Sequence, residues 1–273
     1  MSQVVLITGA SSGIGEATAL LLLKKGYIVY AAARRIERMN DLKEKGAHIL
    51  ELDITKEDSI VNCVNKVINE QKKIDVLFNN AGYGLYGTVE ETSMSDAKNQ
   101  FEVNLFGLAR LTQLVIPHMR KQMSGKIINT SSMGGKVYSP LGAWYHATKH
   151  ALEGWSDCLR LEMKQFNIKV VVIEPGLIHT DWGLIAADNI ERISKNGPYS
   201  NYSQSVANGL RINYGSESNG SSPEVIAKLV TKAIEANNPK TRYAGGKYAK
   251  LSILIRKIFG DRIFDYVISS RMR

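Results

Sequence analysis

The apolar positions of the chain fall into two alternating periods. Short, near-continuous apolar runs recur at 3–8 (QVVLIT), 27–33 (YIVYAAA), 47–54 (AHILELDI), 75–80 (DVLFNN), 126–132 (KIINTSS), 168–176 (IKVVVIEPG) and 241–246 (TRYAGG). Such runs suit strands buried on both faces of a parallel sheet. Between them lie segments with a helical repeat. In 56–72, Ile60, Val64, Val67 and Ile68 form one apolar stripe. Helices are also expected at 16–25, 36–45, 97–122, 144–166 and 223–236, the last with Pro223 at its first position. Strands alternating with helices throughout predict a single doubly wound α/β domain with helices on both faces of a parallel sheet.

Two stretches depart from this rhythm. Residues 181–222 are rich in Asn, Ser, Gly and Tyr after a short apolar segment, WGLIAA. That texture predicts a mobile substrate lid within a domain spanning 1–246. Residues 247–273 form a basic amphipathic tail, in which Leu251, Leu254, Ile255, Ile258 and Phe259 make an apolar stripe interrupted by Gly260. The reading expected for it is a helix docked on the domain or on a second subunit. The other is a peripheral contact with an anionic membrane surface.

Charge sharpens the picture of the tail. From Lys240 to Arg273 nine basic residues face only Asp261 and Asp265, which puts +7 of the chain's +9 in this stretch and +2 elsewhere. A globule so close to neutral argues against a nucleic-acid partner. The start, MSQVVLITGASSG, reads as a first strand and not as a signal peptide. Two cysteines, Cys63 and Cys158, exclude a disulfide framework; both are expected to be buried thiols in a reducing cytoplasm. His146 and His150 are four apart, but no carboxylate or cysteine stands at ligand spacing, so no metal site is expected.

The candidate chemistry begins after the first strand. Gly9-Ala10-Ser11-Ser12-Gly13-Ile14-Gly15 leads into a helix. Strand, glycine loop and helix together present free backbone N–H groups to a phosphate, and at the N-terminus of a doubly wound domain they point to a dinucleotide. The second strand ends Ala32-Ala33 and is followed by Arg34 and Arg35 with no acid. A carboxylate there would accept from the ribose of NAD, whereas arginine accommodates the 2′-phosphate of NADP. The expected cofactor is therefore NADP(H). Asp53 lies at the C-terminal end of the third strand, where ligands gather; it reads as an adenine partner or as a cap for the next helix. Asn104 falls in mid-helix, where asparagine is out of place unless hydrogen-bonded or functional.

The stretch 131–149 holds the remaining candidate chemistry. Tyr145 and Lys149 are one helical turn apart on one face. A nearby ammonium favours the phenolate, which predicts a phenol that exchanges a proton near neutral pH. Ser131 or Ser132 is placed to donate to the same substrate oxygen.

With these residues in place, the chain resembles the short-chain dehydrogenase/reductase family over nearly its whole length. The matching motifs are Thr8-Gly9-x-x-x-Gly13-Ile14-Gly15, Asn79-Asn80-Ala81-Gly82, Asn104, Ser132, Tyr145-x-x-x-Lys149 and Pro175-Gly176 with Thr180. The resemblance implies a Rossmann-type sheet of seven strands in the order 3-2-1-4-5-6-7, a nicotinamide cofactor at its C-terminal edge, and a homo-oligomer. It selects Ser132 over Ser131. It implies that Tyr145 is the acid in reduction and the base in oxidation. Lys149 binds the nicotinamide ribose, Ser132 polarises the substrate carbonyl, and Asn104 holds a water that links Lys149 to solvent. Ile178 and Thr180 would meet the carboxamide, and Asp53 and Ile54 the adenine. Ser11, Ser12, Asn80, Ala81, Gly82, Pro175 and Gly176 complete the expected cofactor contacts.

The function this implies is hydride transfer between NADP(H) and a carbonyl or secondary alcohol. The arginine-ended second strand and long lid resemble the hydroxysteroid and retinol dehydrogenase branch, which implies a lipophilic substrate. The alternatives are reduction of a β-ketoacyl chain on a carrier protein, and a non-catalytic NADP-binding regulator.

Overall fold

In the computed structural model, residues 2–215 and 220–270 are described; 216–219 of the expected lid, 271–273 of the basic tail and Met1 lie outside them. Seven strands form one parallel sheet: β1 (Val4–Thr8), β2 (Ile28–Ala33), β3 (His48–Glu51), β4 (Val76–Asn79), β5 (Gly125–Thr130), β6 (Ile168–Pro175) and β7 (Arg242–Gly245). Their order is β3-β2-β1-β4-β5-β6-β7, as the family resemblance implies. The apolar strand residues are buried on both faces: Val5, Ile7 and Phe78 face one helical layer, and Leu6, Leu77 and Ile127 the other. The chain reverses direction across the sheet between β1 and β4, so a crevice opens at their C-terminal ends.

The helices are α1 (Gly13–Lys24), α2 (Asn40–Glu44), α3 (Glu57–Gln71), α4 (Met94–Phe101), α5 (Gly107–Gln122), α6 (Ala143–Met163), α7 (Trp182–Ser194), α8 (Ser200–Tyr214), α9 (Pro223–Glu235) and α10 (Ala249–Ser270). Several differ from expectation. The helix expected over 97–122 is two helices joined by a π-turn at Glu102–Phe106. Directly after the π-turn, α5 makes a close approach: a Cβ on Gly107 would lie 2.1 Å from the Ile54 carbonyl oxygen, so the first residue of α5 packs against the segment that follows β3.

The lid stretch is largely helical. The small residues Gly183, Ala186 and Ala187 of α7 are buried, as is Ala207 of α8, and they let α7 and α8 pack closely. Cys63 is buried, and burial pushes its thiol up to about 12. Cys158 is exposed, contrary to expectation, because it lies on the solvent side of α6.

The tail is a helix, α10, that bends at Gly260 (φ 68°, ψ −167°), a conformation that costs glycine little. Docking explains only part of it. Ala249 and Phe264 are buried, but Leu251, Leu254, Ile258 and Phe259 of the expected docking stripe are exposed. Among the described residues no helix is long and apolar enough to cross a membrane.

Candidate active site

A cleft of about 1110 Å³ runs along the C-terminal edge of the sheet. It is lined by Gly9, Ser11, Ser12, Gly13, Ile14, Arg34, Arg35, Asp53, Ile54, Asn80, Ala81 and Gly82, and further along by Ser132, Tyr145, Lys149, Pro175, Gly176, Ile178 and Thr180. Three expected residues do not line it: Thr8, Gly15 and Asn104.

Thr8 and Gly15 shape the cleft from behind. The Thr8 hydroxyl oxygen accepts from the N–H groups of Asn80 and Ala81, both at 3.0 Å. Asn80 Nδ2 donates to the carbonyls of Thr8 and Gly9 at 3.2 Å. The glycine loop is thus bonded to the end of β4. Gly9 has φ 65°, and a Cβ there would stand 2.8 Å from the Ala81 Cα. A Cβ on Gly15 would meet the Gly9 carbonyl oxygen at 2.3 Å. Only glycine permits this packing, and the backbone cradle it leaves at the start of α1 fits a phosphate group.

Farther along the edge, Asp53 bonds to Thr55 ahead of α3 and does not cap that helix, whose N-cap Lys56 receives no side-chain bond. Its Oδ1 accepts from the Thr55 N–H at 3.0 Å and the Thr55 hydroxyl at 2.8 Å, and it also lines the cleft. Burial pushes its carboxyl up, but the Thr55 bonds and the charges of Arg34 and Lys56 outweigh that and leave it below its usual value. Arg34 and Arg35 are exposed where β2 ends. These donors and glycines fit a nicotinamide dinucleotide.

The reacting end is built on α6. Tyr145 and Lys149 share one face of it and are both buried. Ser132 caps the short turn Met133–Gly135, its Oγ accepting from the Gly134 N–H at 3.0 Å. The Ser132 hydroxyl also acts on Tyr145, drawing its phenol toward the ionised form. Since Gly134 occupies one lone pair of that oxygen, its own hydrogen is free to be donated. Ser131 is buried, and its Oγ has no partner among the described residues.

Lys149 Nζ donates to the Thr130 carbonyl at 2.8 Å and lies 5.9 Å from the centre of the Tyr145 ring. Burial brings its ammonium down to about 8, against the opposing pull of Glu153. The lowered phenol expected at Tyr145 is not present in the chain by itself. Burial pushes it well above its ordinary range; Ser132 pulls it back in part, and Tyr86 adds to the rise. The reason is its setting. Trp182, His146 and Tyr86 surround the ring at 5.0, 5.6 and 5.9 Å between centroids.

The π-turn sets Asn104 behind this group. Asn104 Oδ1 accepts from the Tyr83 N–H at 3.1 Å; its Nδ2 donates to the Tyr83 carbonyl at 3.0 Å and to the Thr148 hydroxyl at 3.2 Å. A Cβ on Gly82 would be 3.1 Å from Asn104 Oδ1 and 3.8 Å from Lys149 Nζ, so the three residues meet at one point.

Sequence reasoning missed most of the aromatic cage. Trp182 reaches Tyr145 because Gly84 leaves room: a Cβ there would stand 2.4 Å from the indole. Gly84 between two tyrosines was the available signal. His146 is neutral, brought down to about 4 by burial. Its Nδ1 meets the Gly134 carbonyl at 2.9 Å and its Nε2 accepts from the Ser139 N–H at 3.1 Å, which ties the Ser132 turn to α6.

Known proteins show the same plan. A family model described as short chain dehydrogenase matches residues 3–187. A 3-ketodihydrosphingosine reductase of Bacteroides thetaiotaomicron is 36% identical over 268 residues, 97% of this chain and 96% of the relative. A short-chain dehydrogenase from Streptomyces avermitilis superposes with a TM-score of 0.81 at 31% identity, covering 99% of this chain and 98% of that one. A variant actinorhodin polyketide ketoreductase with NADPH gives a TM-score of 0.73 at 30% identity, covering 89% and 94%. Sheet order, cleft and these likenesses agree, and the chain belongs to the short-chain dehydrogenase/reductase family of nicotinamide-dependent oxidoreductases.

Proposed function

We propose that the protein is an NADP(H)-dependent reductase of lipophilic ketones, with Tyr145 as proton donor. The observation that carries this is the continuity of one cleft, from two arginines at the end of β2 to a phenol enclosed by aromatic side chains. Arg34 and Arg35 offer forked, charged donors to a 2′-phosphate, and Ala33 before them offers no carboxylate to a ribose. A relative named for reducing 3-ketodihydrosphingosine and a ketoreductase with NADPH support the same reading.

A bound nicotinamide would supply the hydride. The residues of this chain handle the oxygen. Ser132 donates its free hydrogen to the carbonyl oxygen and orients it. Tyr145, held protonated at neutral pH by burial, gives that oxygen the proton it needs as the carbon is reduced. Lys149 and Asn104 stand behind it, and Lys149 presents its positive charge toward the ribose and the phenol. The cage of Trp182, Tyr86 and His146 excludes water from the reacting oxygen. Beyond it, Val206 and Leu210 of α8 and Phe264 and Ile268 of α10 make the cleft apolar where the rest of a substrate would lie.

The experiment is a panel of ketones and alcohols of graded chain length, assayed with NADPH and NADH at the reduced-nicotinamide absorbance band. Turnover is expected with NADPH, rising with the apolar length of the ketone. NADH preferred by an order of magnitude, or no dependence on apolar length, would overturn the respective half of the reading.

A further inference from the structure

The two faces of α10 differ in what they carry. On the inner side Phe264 is buried with its ring edge-on to Tyr138, 5.2 Å between centroids. The Tyr138 hydroxyl donates to Asp265 Oδ1 at 2.8 Å. The Arg256 guanidinium lies 5.3 Å from the centre of the Tyr138 ring and is paired with Asp261. Both acids of the tail are therefore engaged around Tyr138. Phe264 and Ile268, one turn apart, line the same cleft as Tyr145, together with Tyr248 and Ser252 from the first turn of α10 and the residue before it.

The outer side carries a great deal of apolar surface. Leu251, Leu254, Ile258, Phe259, Ile263 and Tyr266 are each between 48 and 76% exposed. Leu251, Leu254 and Ile258 recur at spacings of three and four, on one face. Lys250 and Lys257, seven apart, run along the flank of that face, and Arg262 follows the bend. All three are exposed, and among the described residues none of them forms an ion pair. An apolar face edged by free cations is complementary to an anionic lipid surface, where the side chains enter the acyl boundary and the cations meet the headgroups. It suits a second copy of the chain poorly. A self-complementary contact would bring Lys250, Lys257 and Arg262 of one copy onto the face that carries the same three cations in the other.

We propose that α10 is an interfacial helix that seats the protein on anionic bilayers, and that the substrate enters the cleft from the lipid phase. Its inner face walls the cleft while its outer face lies in the headgroup layer, so the opening beside Phe264 and Ile268 sits at the membrane surface. The seating stands on the helix alone. The entry of a ketone from lipid rests on the reductase reading given above.

The test is co-sedimentation of the full chain with vesicles of phosphatidylcholine, with and without phosphatidylglycerol. Lys250→Glu/Lys257→Glu and Leu254→Asp/Ile258→Asp are compared with the parent, folding being checked by thermal melts. At least about tenfold more binding to the anionic vesicles is expected, falling with salt and lost in both variants. Turnover of a water-soluble ketone without vesicles should be unchanged in the variants. Equal binding to both vesicle types, or none, would overturn the seating. So would a concentration-dependent dimer in sedimentation velocity that both variants abolish, since the face would then be a protein interface. Vesicle binding together with no reduction of any ketone would leave the seating in place and remove the reductase reading. Reduction of a long-chain ketone that vesicles do not accelerate would remove only the lipid entry.

Discussion

The ammonium of Lys149 lies 5.9 Å from the centre of the Tyr145 ring and donates its hydrogen bond to the Thr130 carbonyl at 2.8 Å, on the last residue of β5. The pair is thus anchored to the sheet as well as to α6. In this arrangement the phenol stays protonated in the chain alone, and the lysine adjusts to burial by losing basicity.

Tyr145→Phe removes the proton donor and leaves the cage. Turnover of any ketone substrate is expected to fall by about 10²–10⁴-fold. NADPH affinity, read by quenching of protein fluorescence, should change little, since the cradle at Gly9–Gly15 is untouched. Retained turnover would rule out the assigned acid.

Lys149→Met should abolish turnover yet stabilise the protein. The ammonium is brought down to about 8 from 10.5 by burial, so the unfolded chain binds its proton more tightly. Below pH 8 both states are charged and the folded state carries the full cost; as pH rises from 8 to 10.5 the cost shrinks. The variant is expected to gain up to about 3 kcal/mol at pH 7, less about 1 kcal/mol for the lost bond to Thr130. The gain should vanish near pH 10.5. Denaturant melts at pH 7 and pH 10 check both the sign and the window.

Arg34→Asp tests cofactor choice. It exchanges a phosphate donor for a ribose acceptor and places a like charge beside Asp53. The ratio of kcat/KM for NADPH over NADH is expected to fall by at least about tenfold. An unchanged ratio would move the selection to Arg35 or elsewhere.

Gly107→Ala addresses the π-turn. The new Cβ would stand 2.1 Å from the Ile54 carbonyl oxygen, so either α5 or the segment that follows β3 must move. The expected loss is about 1–3 kcal/mol of stability. KM for the nucleotide should rise more than kcat falls, because Ile54 and Asp53 line the cleft near Arg34. A pure kcat effect would show that Asn104 had moved instead.

Glu174→Gln should stabilise the protein selectively above neutral pH. Burial, then the charge of Glu153, pushes Glu174 up to about 7, while Lys136 and Arg242 pull the other way. The unfolded chain ionises this carboxyl near 4.5, so stability falls as pH rises from 4.5 to 7 and stays lowered above. Removing the charge is expected to give up to about 3 kcal/mol at pH 8 and almost nothing at pH 4.5. Equal melting shifts at both pH values would refute the buried-carboxyl account.

Much of this architecture could be read from local spacing. Tyr145 and Lys149 are one turn apart whatever packs around them, and the glycine loop follows its strand directly. What escaped depends on partners far along the chain. The π-turn at Glu102–Phe106 runs into the contact of α5 with Ile54, and nothing near Gly107 announces that carbonyl. No helix was expected in the lid because α7 and α8 join through Gly183, Ala186, Ala187 and Ala207, residues too small to give a strong apolar signal. The tail read as a docked helix because its stripe was visible, whereas the direction that stripe faces is set by Tyr138, more than a hundred residues earlier. The raised phenol had the same origin, since Trp182 arrives from the start of α7 and Tyr86 from the loop after β4.

The double acceptance by the Thr8 hydroxyl has one more implication. The floor of the nucleotide cradle is sewn between strands β1 and β4, 72 and 73 residues apart in sequence. No fragment ending before Asn80 contains it, and a nascent chain cannot hold its dinucleotide until the middle of the sheet has zipped. Nucleotide binding is therefore linked to the global folding equilibrium. Saturating cofactor should slow amide exchange throughout β1, β4 and β5 together, by the factor that mass action sets, instead of quieting only the loop it touches.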